Sequence, residues 1–185
     1  MSTNLEQFIW PTSFACTLVT EQVVIPNLYS LNISIEPLDN GQNNIPLGFK
    51  KIRHFVDNYL HNSIFIFKDH PLVSSFENID TDVVLFPTDP YDYFVGSVLY
   101  SKFLSITSKF FHIDLITIDS SIGDNVQYCI RDPEECGLDL SGENWWNMDT
   151  ADTGRDNNAS WGELALDSSP RFNPRIIKGG RSENQ

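Results

Sequence analysis

The chain is short of cysteine, histidine, bases and long apolar runs, and each shortage removes a class of protein. Three cysteines in 185 residues (Cys16, Cys129 and Cys136) are an odd number without CxxC spacing, which argues against a disulfide framework or a zinc knuckle. No apolar run approaches the roughly 18 residues needed to span a bilayer, so membrane association is not expected. The first ten residues, MSTNLEQFIW, hold neither a basic nor an apolar leader region. An intracellular, cytoplasmic setting is therefore expected, and Asn32-Ile-Ser and Asn158-Ala-Ser read as chance glycosylation matches. The phosphate-loop pattern GxxxxGK, the dinucleotide pattern GxGxxG and the Gly-x-Ser-x-Gly elbow are all missing. Without them neither phosphate cradling nor serine nucleophile chemistry is indicated, and no cofactor is expected.

Bases are outnumbered by acids, 12 to 25, for a net charge of −13. A field of that sign repels phosphate backbones and anionic membranes, so direct nucleic-acid binding is not expected, and a partner with a basic surface is. The charge is uneven. Residues 131–168 carry ten acids against two bases, whereas residues 169–185 turn basic through Arg171, Arg175, Lys178 and Arg181.

Periodicity divides the chain at about residue 131. Residues 13–25 read as a β-branched strand interrupted by Thr20-Glu21-Gln22, and Pro26-Asn27 reads as a turn. Residues 29–36 alternate cleanly, with Leu31, Ile33 and Ile35 on one face, which completes a hairpin. Phe49, Ile52, Val56, Tyr59 and Leu60 fall at helical spacing over residues 46–61. Strands follow at residues 63–67 and 81–86. A second helix has Asp89 as N-cap, Pro90 at its first position and Asp92 in its first turn. Gly96 inside that helix implies a close approach to the sheet, since it costs roughly 1 kcal/mol of helix propensity against alanine. Residues 112–119 and 125–130 form a second hairpin.

The expected fold is α+β, a mainly antiparallel sheet with two helices on one face in the order β-β-α-β-β-α-β-β, plus an extended acidic C-terminal arm. The expected divisions are an N-terminal arm at 1–10, the domain at 11–132, and a tail at 133–185 that orders on docking. Low apolar content and abundant Ser, Gly, Asn and Asp over residues 141–169 motivate the tail.

The element order resembles the tunnelling fold of the pterin synthases and also the ferredoxin-like superfold. Pro87-Thr88-Asp89 is similar to the Pro-Thr-x-Glu helix start of the pterin synthases, with the glutamate missing. That resemblance implies zinc-binding histidines in the first hairpin, and residues 13–36 hold no histidine, so it transfers no active site.

Candidate sites follow from side-chain chemistry. His54, Asp57 and His61 share one helical side and have metal-ligand chemistry, although a solvated polar face is the favoured reading of them. Asp80, Asp82, Asp89 and Asp92 cluster in sequence as acid–base candidates, although capping and turn chemistry also explain them. No catalytic residue is assigned. The tail supplies partner anchors: Trp145, Trp146, Trp161, Leu164 and Leu166, because partly buried tryptophan is typical of interfaces. The same tryptophans packing back onto their own sheet is the competing expectation. The function expected is a non-enzymatic assembly or adaptor subunit that docks on a protein partner through this tail, such as an accessory component of a viral or phage-type complex, with homo-oligomers allowed. The alternative is a small tunnelling-fold-like enzyme binding a pterin- or purine-like ligand at a subunit interface.

Overall fold

Two long strands carry the architecture. The computed structural model describes residues 8–38, 45–76, 79–151, 153 and 154. β1 (Phe8–Val19) and β2 (Val24–Pro37) pair antiparallel along their whole length, from Phe8 opposite Ile35 to Val19 opposite Val24. The turn between them is the polar Thr20–Val23 stretch, not Pro26-Asn27. The Thr20 hydroxyl accepts from the Gln22 and Val23 amides at 3.3 Å each, the local bonding by which threonine stabilises turns. Pro26 instead lies within β2 opposite Thr17, beyond the end of the next strand, so its missing N–H interrupts no ladder on that side. Phe8 to Trp10, expected in an arm, belong to β1, and the Trp10 ring packs 5.4 Å from Phe49.

α1 (Ile45–Phe55) continues into a π-helical turn (Val56–Leu60) that closes with His61 N–H donating to the Val56 carbonyl, 2.9 Å. β3 (Ser63–Phe67) and β4 (Val83–Phe86) follow, then α2 (Asp92–Thr107), β5 (Phe111–Ser120) and β6 (Gln127–Ile130). The six strands make one sheet in the order β4-β3-β1-β2-β5-β6. The class is α+β as expected, but the sheet is mixed. β3 runs parallel to both β1 and β4, while β1–β2, β2–β5 and β5–β6 are antiparallel. The parallel half arises because two connections cross over instead of turning as hairpins: the one from β2 to β3 through α1 and its π turn, and the one from β3 to β4. Val73 and Phe76 from that connection pack on Val19, Ile66 and Val83, forming a small second core on the face opposite the helices.

The main core lies between the sheet and the helices, built from Phe14, Tyr29, Leu31, Ile33, Phe65 and Ile118 beneath Ile52, Phe55, Val98 and Phe103. Gly96 does lie against the sheet: a Cβ there would run into Ile118 and Ile130. α2 differs from an ordinary surface helix. Every residue from Val95 to Phe103 is buried, the pattern of a helix covered on both sides.

The second cover is residues 133–154, expected as part of an extended arm. A 3-10 turn (Pro133–Cys136) is capped by Asp132, whose carboxylate accepts the Glu134 amide at 2.9 Å. The chain then buries Leu140, Trp145, Trp146 and Ala151. Trp145 stacks on Phe55 and meets Phe86 edge-on, both at 6.2 Å between ring centres. Its indole N–H donates to the Leu85 carbonyl at 2.7 Å, and the Leu85 amide donates to the Thr153 carbonyl at 3.2 Å. This strap thereby covers the outer edge of β4, a place that otherwise invites mispairing.

One buried cation fastens the strap. Lys102, fully buried on α2, donates to the Trp145 carbonyl at 2.6 Å and to the Met148 carbonyl at 3.0 Å. Its ammonium also lies 5.2 Å from the Phe55 ring centre and 5.6 Å from that of Trp145, within cation–π range. Replacing Lys102 by Met keeps the volume and leaves the Trp145 carbonyl without that donor. Denaturant unfolding should show a loss of about 1–3 kcal/mol, against about 3–5 kcal/mol for Trp145→Ala, which adds a cavity. Equal stability of Lys102→Met and the parent protein would contradict the clamp.

Candidate functional site

The end of the sheet where β1, β3, β4 and β5 finish collects the polar residues that the fold positions most closely. Asp92 opens α2 and is held by two donors: the Tyr29 hydroxyl reaches one carboxylate oxygen at 3.0 Å, and the Ser120 hydroxyl reaches the other at 2.6 Å. Beside them the Asn27 side-chain Oδ1 accepts from the Ser121 hydroxyl at 2.9 Å and the Leu28 amide at 2.9 Å. These contacts tie the α2 start to β2 and the end of β5. An open cleft of about 330 Å³ lies outside them, lined by Leu28, Ser30, Asp119, Ser120, Asp124 and Asn125.

The chemistry of this cluster is that of a buried tie. Burial, then the Asp92 charge, pushes the Cys16 thiol up to about 12. Burial and then Asp92 likewise push the Tyr29 hydroxyl well above the usual phenol range. Both groups stay protonated at neutral pH, so neither offers a thiolate or phenolate nucleophile. Asp92 spends its oxygens on Tyr29 and Ser120, an arrangement that positions the helix.

The other candidates are placed as follows. Asp80 and Asp82 are exposed before the start of β4, while Asp89 and Asp92 lie beyond its far end, so the four carboxylates do not assemble. Asp89 is not the N-cap of α2. That position is held by Tyr91, whose backbone is extended and whose side chain makes no capping bond. Asp92 remains in the first turn, as expected. His54, Asp57 and His61 do not converge either. The π turn widens the helix between them, and His61 leaves it with extended backbone and accepts the Ala15 amide at 3.3 Å. His54 lies 3.1 Å from the Asn58 side-chain nitrogen. Among the described residues no three His, Cys, Asp or Glu side chains group as metal ligands.

Trp145 and Trp146 point into this chain's own core and are 5% and 4% exposed. The strap's outer surface is acidic: Asp132, Glu134, Glu135, Asp139 and Glu143 are exposed, and residues 132–154 contain no base. Asp149 alone among the strap's described acids forms ion pairs, with Lys51 at 2.7 Å and Lys109 at 3.7 Å. Trp161, Leu164 and Leu166 lie outside the described residues. Sequence reasoning missed Lys102 as an anchor, although a lysine in the middle of an apolar helix was the visible sign. Among the described residues no helix is long and apolar enough to cross a membrane. No protein-family model matches the chain, and no curated protein matches it significantly.

Thiol reactivity reports this geometry directly. With dithionitrobenzoate, exposed Cys129 should react first and half-buried Cys136 next, with Cys16 reacting only on unfolding. Cys16 and Tyr29 are neutral when protonated, and folding favours that form. The Cys16 contribution to stability is therefore complete below the ordinary thiol value of 9.0 and is lost as pH rises towards about 12, and that of Tyr29 begins to be lost above the ordinary phenol value of 10.0. A denaturation midpoint that held constant from pH 8 to pH 11 would refute this assignment.

Proposed function

We propose that this chain is a non-enzymatic assembly or adaptor subunit that engages a protein partner bearing a basic surface. The observation that carries the reading is the strap: an acidic segment fixed rigidly to the fold from beneath, with its carboxylates directed outward. In this reading Trp145 and Trp146 hold the strap in place. The partner-facing role then falls to the outer carboxylates and, downstream of Gly154, to Trp161, Leu164 and Leu166. Carboxylates on a pre-ordered surface steer a basic partner towards it and raise the rate of encounter. A pre-ordered surface also reduces the ordering entropy lost on binding.

The reading also accounts for what the polar end of the sheet does. Tyr29, Asp92 and Ser120 satisfy one another, and Cys16 is a neutral thiol, so the best-organised polar groups serve the fold. The intracellular setting and an accessory role in a larger complex belong to this same proposal.

The test is capture from the native source with the full-length chain, read by mass spectrometry. Two charge-and-anchor variants are compared with the parent protein: Glu134→Lys with Glu143→Lys, and Trp161→Ala with Leu164→Ala and Leu166→Ala. Both substituted acids are exposed, so the first variant should keep its melting temperature. Loss of the same captured protein in both variants supports the proposal. Capture undiminished in both, with folding intact, would sink it.

A further inference from the structure

The two edges of the sheet are treated differently, and the difference points to a second interaction surface. At β4 the strap supplies the missing neighbour: Trp145 and Thr153 engage Leu85, and the Thr153 hydroxyl donates to the Val83 carbonyl at 3.2 Å. At β6, among the described residues, no backbone bond is made on the outer side. All of the strand's sheet pairing is with β5, from Gln127 opposite Asp119 to Ile130 opposite Ile116. An open edge of this kind offers a row of amides and carbonyls to an extended chain.

The surroundings of this edge specify the chemistry of that chain. On the helix side Tyr128 packs against Tyr93, with ring centres 5.7 Å apart, and Tyr93 in turn lies 6.3 Å from Phe94. These rings are half-buried, and Tyr91 and Val126 nearby are 53% and 46% exposed. Acids flank the rings: after burial and Cys136, the charges of Glu135 and Asp132 act on the Tyr93 hydroxyl and raise its pKa. On the opposite side of the strand Gln127 and Cys129 are exposed, and Gln127 contacts the Asp119 carboxylate at 3.4 Å. Side chains alternate across a strand. A peptide added to β6 therefore meets tyrosine faces and Glu135 with one set of side chains and Asp119 with the other.

We infer that β6 is a docking edge for an extended, lysine- or arginine-bearing peptide segment of a partner, which adds to the sheet as a seventh strand. Main-chain bonds hold the segment. Cationic side chains over Tyr93 and Tyr128 and beside the flanking carboxylates select it. This surface adjoins the strap at Asp132 and Glu135, while its main-chain bonding at β6 does not depend on the strap's role.

The experiment uses the full chain and a fluorescein-labelled octapeptide of alternating lysine and valine, with a glutamate–valine octapeptide as control. Binding is read by fluorescence anisotropy, and the bound site by amide hydrogen exchange. The expected result is saturable binding of the lysine peptide alone, with new protection confined to residues 127–130. Cys129→Lys and Glu135→Lys, both at exposed positions, should each weaken it at least tenfold without moving the melting temperature. Four outcomes would overturn the inference. The first is no binding of the lysine peptide. The second is binding that both variants leave intact. The third is binding that appears only when Arg171, Arg175, Lys178 and Arg181 are changed to Gln, which would assign the edge to this chain's own C-terminal segment. The fourth is a dimer in sedimentation that Cys129→Lys dissociates, which would assign it to a second copy.

Discussion

The buried ammonium of Lys102 is the constraint on which the outer half of this structure depends. A charge removed from water is tolerated only if polar partners replace its hydration. Lys102 is served by the carbonyls of Trp145 and Met148 and by the faces of Phe55 and Trp145. The two carbonyls and the Trp145 ring meet the cation only when the strap is closed, whereas Phe55 is supplied by α1. Burial of Lys102 is therefore coupled to the ordering of residues 145–148. The same closure seats Trp145 on Phe55 and Phe86, seals the far side of α2, and covers the edge of β4. Four features that look separate share one fastening.

A second tie works at the opposite end of α2. Asp92 joins the start of the helix to β2 through Tyr29 and to β5 through Ser120. Held at one end by a carboxylate and along its outer side by a lysine, α2 crosses the sheet in a fixed register. Gly96 fits this geometry because the helix lies directly on Ile118 and Ile130. The result is a platform with one sheet edge covered and, among the described residues, the other open. Its net charge is negative, and its carboxylates are concentrated on the strap. Its most ordered polar groups, Tyr29, Asp92 and Ser120, are occupied with one another.

Much of this arrangement was legible along the chain. Alternation at Leu31, Ile33 and Ile35 placed those residues on one buried face, and the β-branched and aromatic run at residues 63–67 is β3. The helical stripes at Ile52, Val56 and Leu60 and along α2 are buried as their spacing implied. The errors came from local signals that lost to longer-range ones. Pro26-Asn27 has turn chemistry, yet pairing with β1 draws it into a strand, and Thr20 makes the turn instead. Asp89 has cap chemistry, yet the chain stays extended through Tyr91, and the carboxylate that matters is Asp92. The candidate site divided in the same way. The acidity of residues 131–168 was plain, whereas the inward direction of Trp145 and Trp146 was not, because their partners Leu85 and Leu140 lie at quite different distances along the chain.

Composition and periodicity were enough to establish an α+β class, a strongly acidic chain, two helices with buried faces and a change of character near residue 131. These are local or additive properties, and each residue contributes to them where it stands. The parallel pairing of β1, β3 and β4, the convergence of Tyr29, Asp92 and Ser120, and the capture of the strap by Lys102 required the folded chain. Each joins residues far apart in sequence, and the free energy that selects them comes from burial and hydrogen bonding across those separations. A low-apolar segment such as residues 141–154 cannot supply that energy alone. It is ordered because α2 is apolar on both sides and carries a cation from which the strap carbonyls accept.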